Sequence, residues 1–376
     1  MAKLAMPFST RLTRQIIASL LVFSITPAAY SAQMVLLDQF QICCTNIGIS
    51  YSGQTVVAVT SAGTPTYWTT TLGFVQAPGR NGNFIGISGD GTTMVGGAVS
   101  ASYRYSIPGG FQDLPNTAGQ TTAPATGPTA LSDDGSIAVG KEYAGGTSYA
   151  VVWNSNGDPA RLSTGQALDV SGDGSVIVGT SRVPNRDQAV RWDWNGLTQS
   201  WQRTALTAGT TNTGAAFAVS RNGDTVFGQV DNSAFRWTSG AGTVDIGAGF
   251  NSSAIYATTT DGIFGGGFIN ALNAPARTAA IWDETSGWRT LASLLMAAGI
   301  DENDIPDFRD VAAMSSDGRY IVASYYTGSS SPVGQYWIDF GAPLAVVPLP
   351  AAAWLFFSSL LGLTALTRRS GSRIVN

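Results

Sequence analysis

Carboxylates that recur at a regular spacing are the residues of this sequence best suited to chemistry. Seven segments follow a Ser-x-Asp-Gly pattern, and VSGDGSVIVG at 170–179 is typical of them. The residue pairs that end the pattern are Ser52-Gly53, Asp90-Gly91, Asp134-Gly135, Asp173-Gly174, Asn222-Gly223, Asp261-Gly262 and Asp317-Gly318. Carboxylate oxygens in loops can bind Ca²⁺, and two facing carboxylates can hydrolyse glycosides.

The substitutions within the pattern favour a structural role. Asn222 and Ser52 replace the aspartate in two copies while the glycine is kept, so backbone geometry explains the pattern better than a ligand does. Asp-Gly and Asn-Gly favour type I′ hairpin turns, in which both residues have positive φ. We therefore predict repeat turns and no cofactor, with weak calcium binding at one or more turns as the alternative.

The remaining acidic residues form no catalytic pattern. DENDIPDFRD (301–310) begins like a calcium loop, but Ile305 and Pro306 occupy positions that need a ligand and a glycine. We interpret this segment as a solvated connection, with weak calcium binding as the alternative. The chain has no histidine, and its glutamates are Glu142, Glu284 and Glu302. Serine or cysteine catalysis through histidine is therefore excluded, and we expect no enzyme.

A repeat of about 44 residues must position these turns. Each turn precedes a β-rich run such as SVIVG (175–179), which ends in Gly or Ala five residues after the turn glycine. The sixth copy, TTTDGIFGGG (258–267), is interpreted as two residues shorter. The Gly or Ala that ends each run indicates close approach of a neighbouring backbone. An aromatic strand such as QAVRW (188–192), a Gly-rich turn and a fourth strand follow.

Four short strands per repeat are typical of a propeller blade. Seven copies predict an all-β, seven-bladed β-propeller over residues 33–341, with an open β-solenoid as the alternative. The last copy ends after its Trp strand, so QMVLLDQF (33–40) is predicted to supply the missing strand and close the ring. TLASLLMAAG (290–299) is predicted to be a helix. The recurring Trp and Tyr residues are interpreted as blade packing, with sugar stacking as the alternative.

The two ends of the chain carry targeting segments instead of repeats. Residues 1–32 are predicted to be a secretory signal peptide, because basic residues precede an apolar run at 16–25. Residues 342–350 form a linker with a sorting motif, 351–367 a predicted transmembrane helix and 368–376 a basic cytoplasmic tail. The repeat domain is therefore expected outside the inner membrane.

The C-terminal segment VPLPAAAWLF resembles the PEP-CTERM sorting signals of Gram-negative bacteria, in their VPLPA variant. The residues that carry the resemblance are Val347, Pro348, Leu349, Pro350, Ala351, Arg368 and Arg369. The resemblance implies a membrane span before processing, recognition by an exosortase-type transpeptidase, and association with exopolysaccharide or biofilm. An ordinary C-terminal anchor is the alternative.

The repeats themselves resemble the HAF repeat family of bacterial extracellular proteins. NSAFRWTSGAGTVDIG (232–247) carries the resemblance most clearly, although the histidine that names the repeat is missing throughout. The resemblance extends over about residues 49–340. It implies an exported or surface protein and no shared catalytic residues.

The charge of the exported part limits its partners. Outside the terminal segments, 14 basic residues stand against 24 acidic ones, a net charge of −10, which argues against nucleic acid. Cys43 and Cys44 are neighbours and offer no cross-chain disulfide framework. We expect a non-catalytic surface or matrix protein, with a polysaccharide-active enzyme or a calcium-dependent adhesion module as alternatives.

Overall fold

The structure is a computed structural model that describes residues 32–40, 47–60, 63–98, 101–121, 126–184, 186–207, 213–326 and 332–345. Most of the predicted signal peptide, Cys43 and Cys44, and the predicted sorting signal and membrane segment from Val347 onward lie outside the described residues. Within the described part, no helix has the length and apolar character needed to cross a membrane.

The described chain consists almost entirely of antiparallel strands. Their bounds are β1 (Gln33–Leu37), β2 (Ile47–Ile49), β3 (Thr55–Ala58), β4 (Thr66–Thr69), β5 (Gly73–Gln76), β6 (Asn83–Ile87), β7 (Thr93–Ala98), β8 (Ala101–Ser106), β9 (Gly110–Asp113), β10 (Thr126–Leu131), β11 (Ala138–Ala144), β12 (Thr147–Trp153), β13 (Pro159–Val170), β14 (Val176–Val183), β15 (Arg186–Asn195), β16 (Ser200–Ala205), β17 (Gly214–Val219), β18 (Thr225–Val230), β19 (Ser233–Thr238), β20 (Gly242–Asp245), β21 (Phe250–Thr258), β22 (Phe264–Ala271), β23 (Thr278–Asp283), β24 (Gly287–Thr290), β25 (Phe308–Met314), β26 (Tyr320–Tyr326) and β27 (Pro332–Asp339).

The strands form sheets that follow the repeat, and we number the units by their Ser-x-Asp-Gly turns. Units 1, 2, 5 and 6 are four-stranded sheets of consecutive strands, which begin at β2, β6, β17 and β21. Units 3 and 4 share the long strand β13, so that β10 to β16 form one seven-stranded sheet. Unit 7 contains β25 to β27 and takes β1 as its fourth strand. The described chain is therefore an all-β protein built from repeated hairpins.

The N-terminal strand supplies the fourth strand of the last unit, as predicted. β1 pairs antiparallel with β27, from Gln33 opposite Asp339 to Leu37 opposite Gln335. Leu37 is fully buried in a cluster with Val56 of unit 1 and Val322 of unit 7. The first described strand is thus held between the last strand and the first repeat unit.

The predicted helix is also present. Helix α1 (Leu291–Ala297) begins at the cap residue Thr290, whose hydroxyl accepts a hydrogen bond from the Ser293 amide at 3.2 Å. Leu291 and Leu295 on one face are buried. The helix therefore contributes to the core next to units 6 and 7.

The seven turns share one geometry, which differs from the predicted type I′ turn. In each turn the glycine amide donates to the carbonyl of the initial Ser or Thr, and the glycine φ lies between 69° and 78°. The residue before the glycine has no positive φ. The type I′ prediction is therefore wrong, because in a three-residue loop only the last residue must be left-handed.

Close backbone approach after the turn is confirmed. A Cβ on Gly179 would lie 2.1 Å from the carbonyl oxygen of Gln166, and one on Gly267 would lie 1.9 Å from that of Ala254. Gly267 also stands five residues after Gly262, as in the other copies. The prediction of a shortened sixth copy was therefore wrong.

The apolar core lies between neighbouring units. Tyr67 of unit 1, for example, packs in one buried cluster with Phe84, Met94 and Tyr103 of unit 2. The first strand of each unit also contacts the first strand of the next, and β25 contacts β2. Each unit therefore buries its faces against two neighbours.

Backbone hydrogen bonds join the turns in a cycle. Each turn donates one amide to a carbonyl of the following turn, with N···O distances between 2.8 and 3.5 Å. The cycle begins with the amide of Tyr51 on the carbonyl of Gly89 and returns with the amide of Ser316 on the carbonyl of Tyr51. The turns of units 1 and 7, the most distant in sequence, are therefore direct neighbours.

Candidate functional site

The first strands of the units surround a central cavity of about 470 Å³. In units 2 to 7 the first strand has a β-bulge, and the bulged residue lines this cavity. The bulged residues are Ile85, Thr129, Leu168, Phe217, Tyr256 and Ala312. A bulge redirects a side chain that regular pleating would place elsewhere. The cavity therefore has a largely apolar belt, in which the Phe217 and Tyr256 rings are 5.2 Å apart.

Three side chains meet across the cavity at the end where the turns lie. The Tyr51 hydroxyl donates to Asp133, and the Arg221 guanidinium pairs with the same carboxylate. The guanidinium carbon also lies 4.9 Å from the centre of the Tyr51 ring. These residues come from units 1, 3 and 5, so we call them the turn-face plug. Burial and the neighbouring Asp133 carboxylate raise the pKa of Tyr51 well above its usual value, and the phenol stays neutral.

Asp169 is a partly buried acid on the cavity wall near the plug. Its carboxylate accepts hydrogen bonds from the amides of Val219 at 2.8 Å and Val170 at 2.9 Å. Burial raises the pKa of Asp169 to about 7, although the two amide hydrogen bonds oppose that change. Asp169 therefore changes charge near neutral pH and links the first strands of units 4 and 5.

Lys141 lines the cavity toward its other end. It lies opposite Gly127 in the β10–β11 ladder, and its side chain passes over this glycine. A Cβ added to Gly127 would lie 3.9 Å from Cε of Lys141. The ammonium nitrogen is 5.5 Å from the centre of the Tyr143 ring. No described carboxylate forms an ion pair with Lys141, whereas most arginines of the described part are paired.

The repeat aspartates lie outside this cavity, and their oxygens serve the turns. Asp173 accepts from the hydroxyls of Ser171 at 2.7 Å and Ser175 at 2.8 Å, and from the Ser175 amide at 2.9 Å. Ser171 in turn accepts from the amide of Val176 at 2.9 Å. Partial burial acts to raise the pKa of Asp173, but these hydrogen bonds lower it below its usual range.

The same contacts recur in the other copies. Ser88 donates to Asp90 at 2.6 Å, and Ser220 donates to the oxygen of Asn222 at 2.7 Å. In the first copy, the hydroxyls of Ser50 and Ser52 are 3.2 Å apart. Asn and Ser can replace Asp because all three offer an oxygen acceptor at this position. The geometry explains the substitutions seen in the sequence.

The other acidic candidates are dispersed. Asp301 caps a short 3-10 helix (Glu302–Asp304) and accepts from the Asn303 amide at 2.9 Å. Glu142 is buried, bonded to Thr117 and paired with Arg161, whereas Glu284 is exposed. Among the described residues, no group of three or more possible ligands is placed to hold a metal ion.

Tryptophan exposure separates packing residues from surface residues. Of the recurring tryptophans, Trp68, Trp153, Trp192, Trp282 and Trp337 are at most 8% exposed, and Trp237 is partly buried against the core, so they pack between units. Trp194 is different, with 45% of its surface exposed. It lies opposite Trp201 on the β15–β16 hairpin, with ring centres 5.3 Å apart.

Sequence reasoning did not find the cavity residues. A signal was available for Asp169, because every other unit has a small residue at the equivalent position. These residues are Gly48, Gly86, Ala130, Ala218, Ala257 and Ala313. One acid among small residues is a marked exception. For Tyr51, Asp133 and Arg221 there was no signal, because they occupy the variable position of the turn pattern and meet only in the folded chain.

Comparisons with known proteins support the fold alone. A scan against protein-family models finds no match, and a search of curated proteins finds none. The chain is similar in structure to an oligogalacturonate lyase in complex with manganese, with a TM-score of 0.52, 10% sequence identity, and coverage of 87% of this chain and 96% of that chain. It is similar to a puromycin hydrolase, with a TM-score of 0.53, 12% identity, and coverage of 84% of this chain and 56% of that chain.

A third similar structure is TolB from Acinetobacter baumannii, with a TM-score of 0.44, 12% identity, and coverage of 64% of this chain and 63% of that chain. The chain therefore spans less than two thirds of TolB and of the puromycin hydrolase. The lyase and the hydrolase are propeller folds. The strand order and the similarities to the lyase and the hydrolase together establish an all-β, propeller-like fold.

Proposed function

We propose that the repeat domain is a closed seven-bladed β-propeller, in which each unit is one blade. The cycle of hydrogen bonds between the seven turns supports closure, as does the contact between β25 and β2. The pairing of β1 with β27 supports a last blade made from both ends of the domain. Such a blade leaves no open sheet edge between the first and last repeats.

We propose that the protein is an exported, non-catalytic surface or matrix protein associated with exopolysaccharide. The signal peptide and the VPLPA-type tail predicted from the sequence support export and processing by an exosortase. The turn contacts support a structural use of the repeat carboxylates, since each repeat aspartate bonds within its own turn. The domain would then act by binding.

One observation carries the proposed polysaccharide binding. The β15–β16 hairpin extends beyond the aligned residue Trp192 and places Trp194 opposite Trp201, with Trp194 exposed. Exposed aromatic faces accept the C–H faces of sugar rings while the ring hydroxyls remain in water. We call Trp194 and Trp201 the tryptophan platform.

Binding to exopolysaccharide tests this role. We expect Trp194→Ala to weaken retention of the full chain on isolated exopolysaccharide several-fold in affinity electrophoresis. Leu272→Ala is the control, because Leu272 is 62% exposed but lies on the β22–β23 hairpin. Equal retention of the two variants and the native chain would contradict a role for the platform.

Processing tests the sorting assignment separately. Replacing Pro348 and Pro350 with alanine should leave a larger, membrane-bound species in the native host, because the motif that an exosortase would recognise is lost. Arg373→Ala, outside the motif, is the control. If both variants are processed like the native chain, the tail is not an exosortase signal.

A polysaccharide-active enzyme is a second candidate, and Asp169 is the observation that favours it. An acid with a pKa of about 7 on a cavity wall is suited to proton transfer near neutral pH. Measurable cleavage of a polysaccharide by the purified chain, abolished by Asp169→Asn, would establish this candidate. Absence of turnover across acidic and neutral polysaccharides would leave the binding role.

A further inference from the structure

The central cavity has different chemistry along its length. The turn-face plug crosses one end, the bulged residues form an apolar belt, and Lys141 and Gln166 line the wall farther from the turns. Gln166 lies opposite Thr180 in the β13–β14 ladder, and Gly127, opposite Lys141, holds the equivalent position in unit 3. Asp169 lies opposite Val178, two residues along the partner strand from Thr180, so at about 3.3 Å per residue roughly 7 Å separate the two levels.

Lys141 presents a positive charge that the described protein does not neutralise. Lys141 lines the cavity, with its aliphatic chain over Gly127, which leaves room for it, and its ammonium nitrogen lies 5.5 Å from the centre of the Tyr143 ring. The exported part carries an excess of acidic residues, so an unpaired lysine on a cavity wall is a distinctive feature. Its natural complement is an anionic group on a ligand.

The rest of the wall suits a ligand with hydroxyl groups and an apolar face. The rings of Phe217 and Tyr256 offer apolar surface in the belt. The Asp169 carboxylate and the Gln166 amide offer hydrogen-bond partners at two levels of the wall. A cavity of about 470 Å³ is in the size range of small-molecule sites.

We propose that the central cavity binds a sugar acid, with its carboxylate at Lys141, its ring against Phe217 and Tyr256, and a hydroxyl toward Asp169. The choice of a sugar acid among small carboxylates rests on the proposed association with exopolysaccharide. The cavity and the tryptophan platform lie on different parts of the domain, and no residue is shared between them.

Calorimetry with the full chain in detergent tests the proposal, with D-glucuronate as the probe and D-glucose as its neutral counterpart. We expect glucuronate to bind and glucose to bind at least about tenfold more weakly, because a charge-assisted contact is lost. Lys141→Met should weaken glucuronate binding by a similar factor. Arg80→Gln is the matched control, because it also removes one positive charge but pairs with Asp113, away from the cavity lining.

A second variant tests the location without changing any charge. Ala312 is a bulged residue of unit 7 that lines the cavity. Ala312→Phe should therefore fill the space and abolish glucuronate binding while the β-type circular dichroism spectrum is kept. Equal binding of glucose and glucuronate, no effect of Lys141→Met, or no binding of glucuronate at all would overturn the proposal.

The two binding proposals fail separately. Loss of polymer retention in Trp194→Ala with unchanged glucuronate binding would support both sites as distinct. Glucuronate binding that depends on Lys141, in a chain that does not bind exopolysaccharide, would keep the cavity site and refute the proposed matrix role. Polymer binding that Trp194→Ala abolishes, without glucuronate binding, would refute the cavity site alone.

Discussion

At the scale of single residues, Asp169 is the clearest departure from the repeat. Six units place glycine or alanine at this position, where the first strands pack around the cavity, and unit 4 places an acid. The amides of Val219 and Val170 satisfy its oxygens, but burial still raises its pKa to about 7. An unfolded aspartate titrates near 3.9, so folding is linked to protonation here.

The sign of this linkage gives a prediction for Asp169→Asn. Between about pH 4 and pH 7 the folded state holds a proton that the unfolded state has released, so the stability that Asp169 contributes is greatest below about pH 4 and falls as the pH rises toward 7. Asparagine cannot ionise, but it has only one side-chain oxygen to accept the hydrogen bonds that the two carboxylate oxygens of Asp169 receive from the Val219 and Val170 amides. We expect the variant to be about 1–3 kcal/mol less stable at pH 4, and this deficit to shrink or reverse by pH 8.

Urea unfolding of the native chain and the variant at pH 4 and pH 8 measures this difference. Asp38→Asn serves as the control, because Asp38 is exposed and its replacement should change stability little at either pH. A deficit for Asp169→Asn that is the same at both pH values would show that the carboxylate does not change charge between them.

At the scale of elements, β1 shows how one short strand can connect the two ends of the domain. Its exposure pattern fits a strand that is buried at one end, since Leu37 is fully buried and its neighbour Leu36 is 42% exposed. Leu37 packs with Phe40, with Val56 of unit 1 and with Val322 of unit 7. The strand is therefore attached by side-chain packing as well as by its ladder with β27.

Two neighbouring leucines test this attachment. Leu37→Ala should lower the free energy of unfolding by about 2–5 kcal/mol, because it leaves a cavity in a buried cluster. Leu36→Ala removes the same atoms from an exposed site and should change stability by less than about 0.5 kcal/mol. Chemical unfolding monitored by tryptophan fluorescence measures both. Similar losses in the two variants would contradict the observed register of β1.

At the scale of the whole molecule, the cycle of turns makes the sequence ends of the domain neighbours. Gln33 and Asp339 are opposite each other in a ladder, so a short linker can join residue 345 to residue 33. A circular permutant opened at Asn273, on an exposed loop, should fold with a circular dichroism spectrum and unfolding midpoint close to those of the native chain.

The location of the opening is the control in this experiment. A permutant opened at Gly228 breaks the buried strand β18, and we expect it to misfold or aggregate. If the permutant opened at Asn273 also fails to fold, the ends of the domain do not meet as the ladder of β1 and β27 requires.

The sequence predicted more of the scaffold than of the cavity. Turn positions, the strand run after each turn, helix α1 and the pairing of β1 follow from local patterns such as Asp173-Gly174 and from the incomplete last repeat. The bulge at Phe217 and the plug at Tyr51 depend on which residues meet when the units pack side by side. The exposure of Trp194 depends on a hairpin that is longer than its counterparts. Single-copy exceptions to a repeat, such as Asp169, carry the site.

The position of β27 has a mechanical consequence. This strand lies inside its sheet, with β26 on one side and β1 on the other, and the residues after it pack on the last turn, where the Leu344 amide donates to the Asp317 carbonyl at 3.2 Å. If the chain is tethered through its C-terminus, tension enters the domain through β27. Pulling this strand out must shear two ladders at the same time, so the tethered end resists force more than an edge strand would.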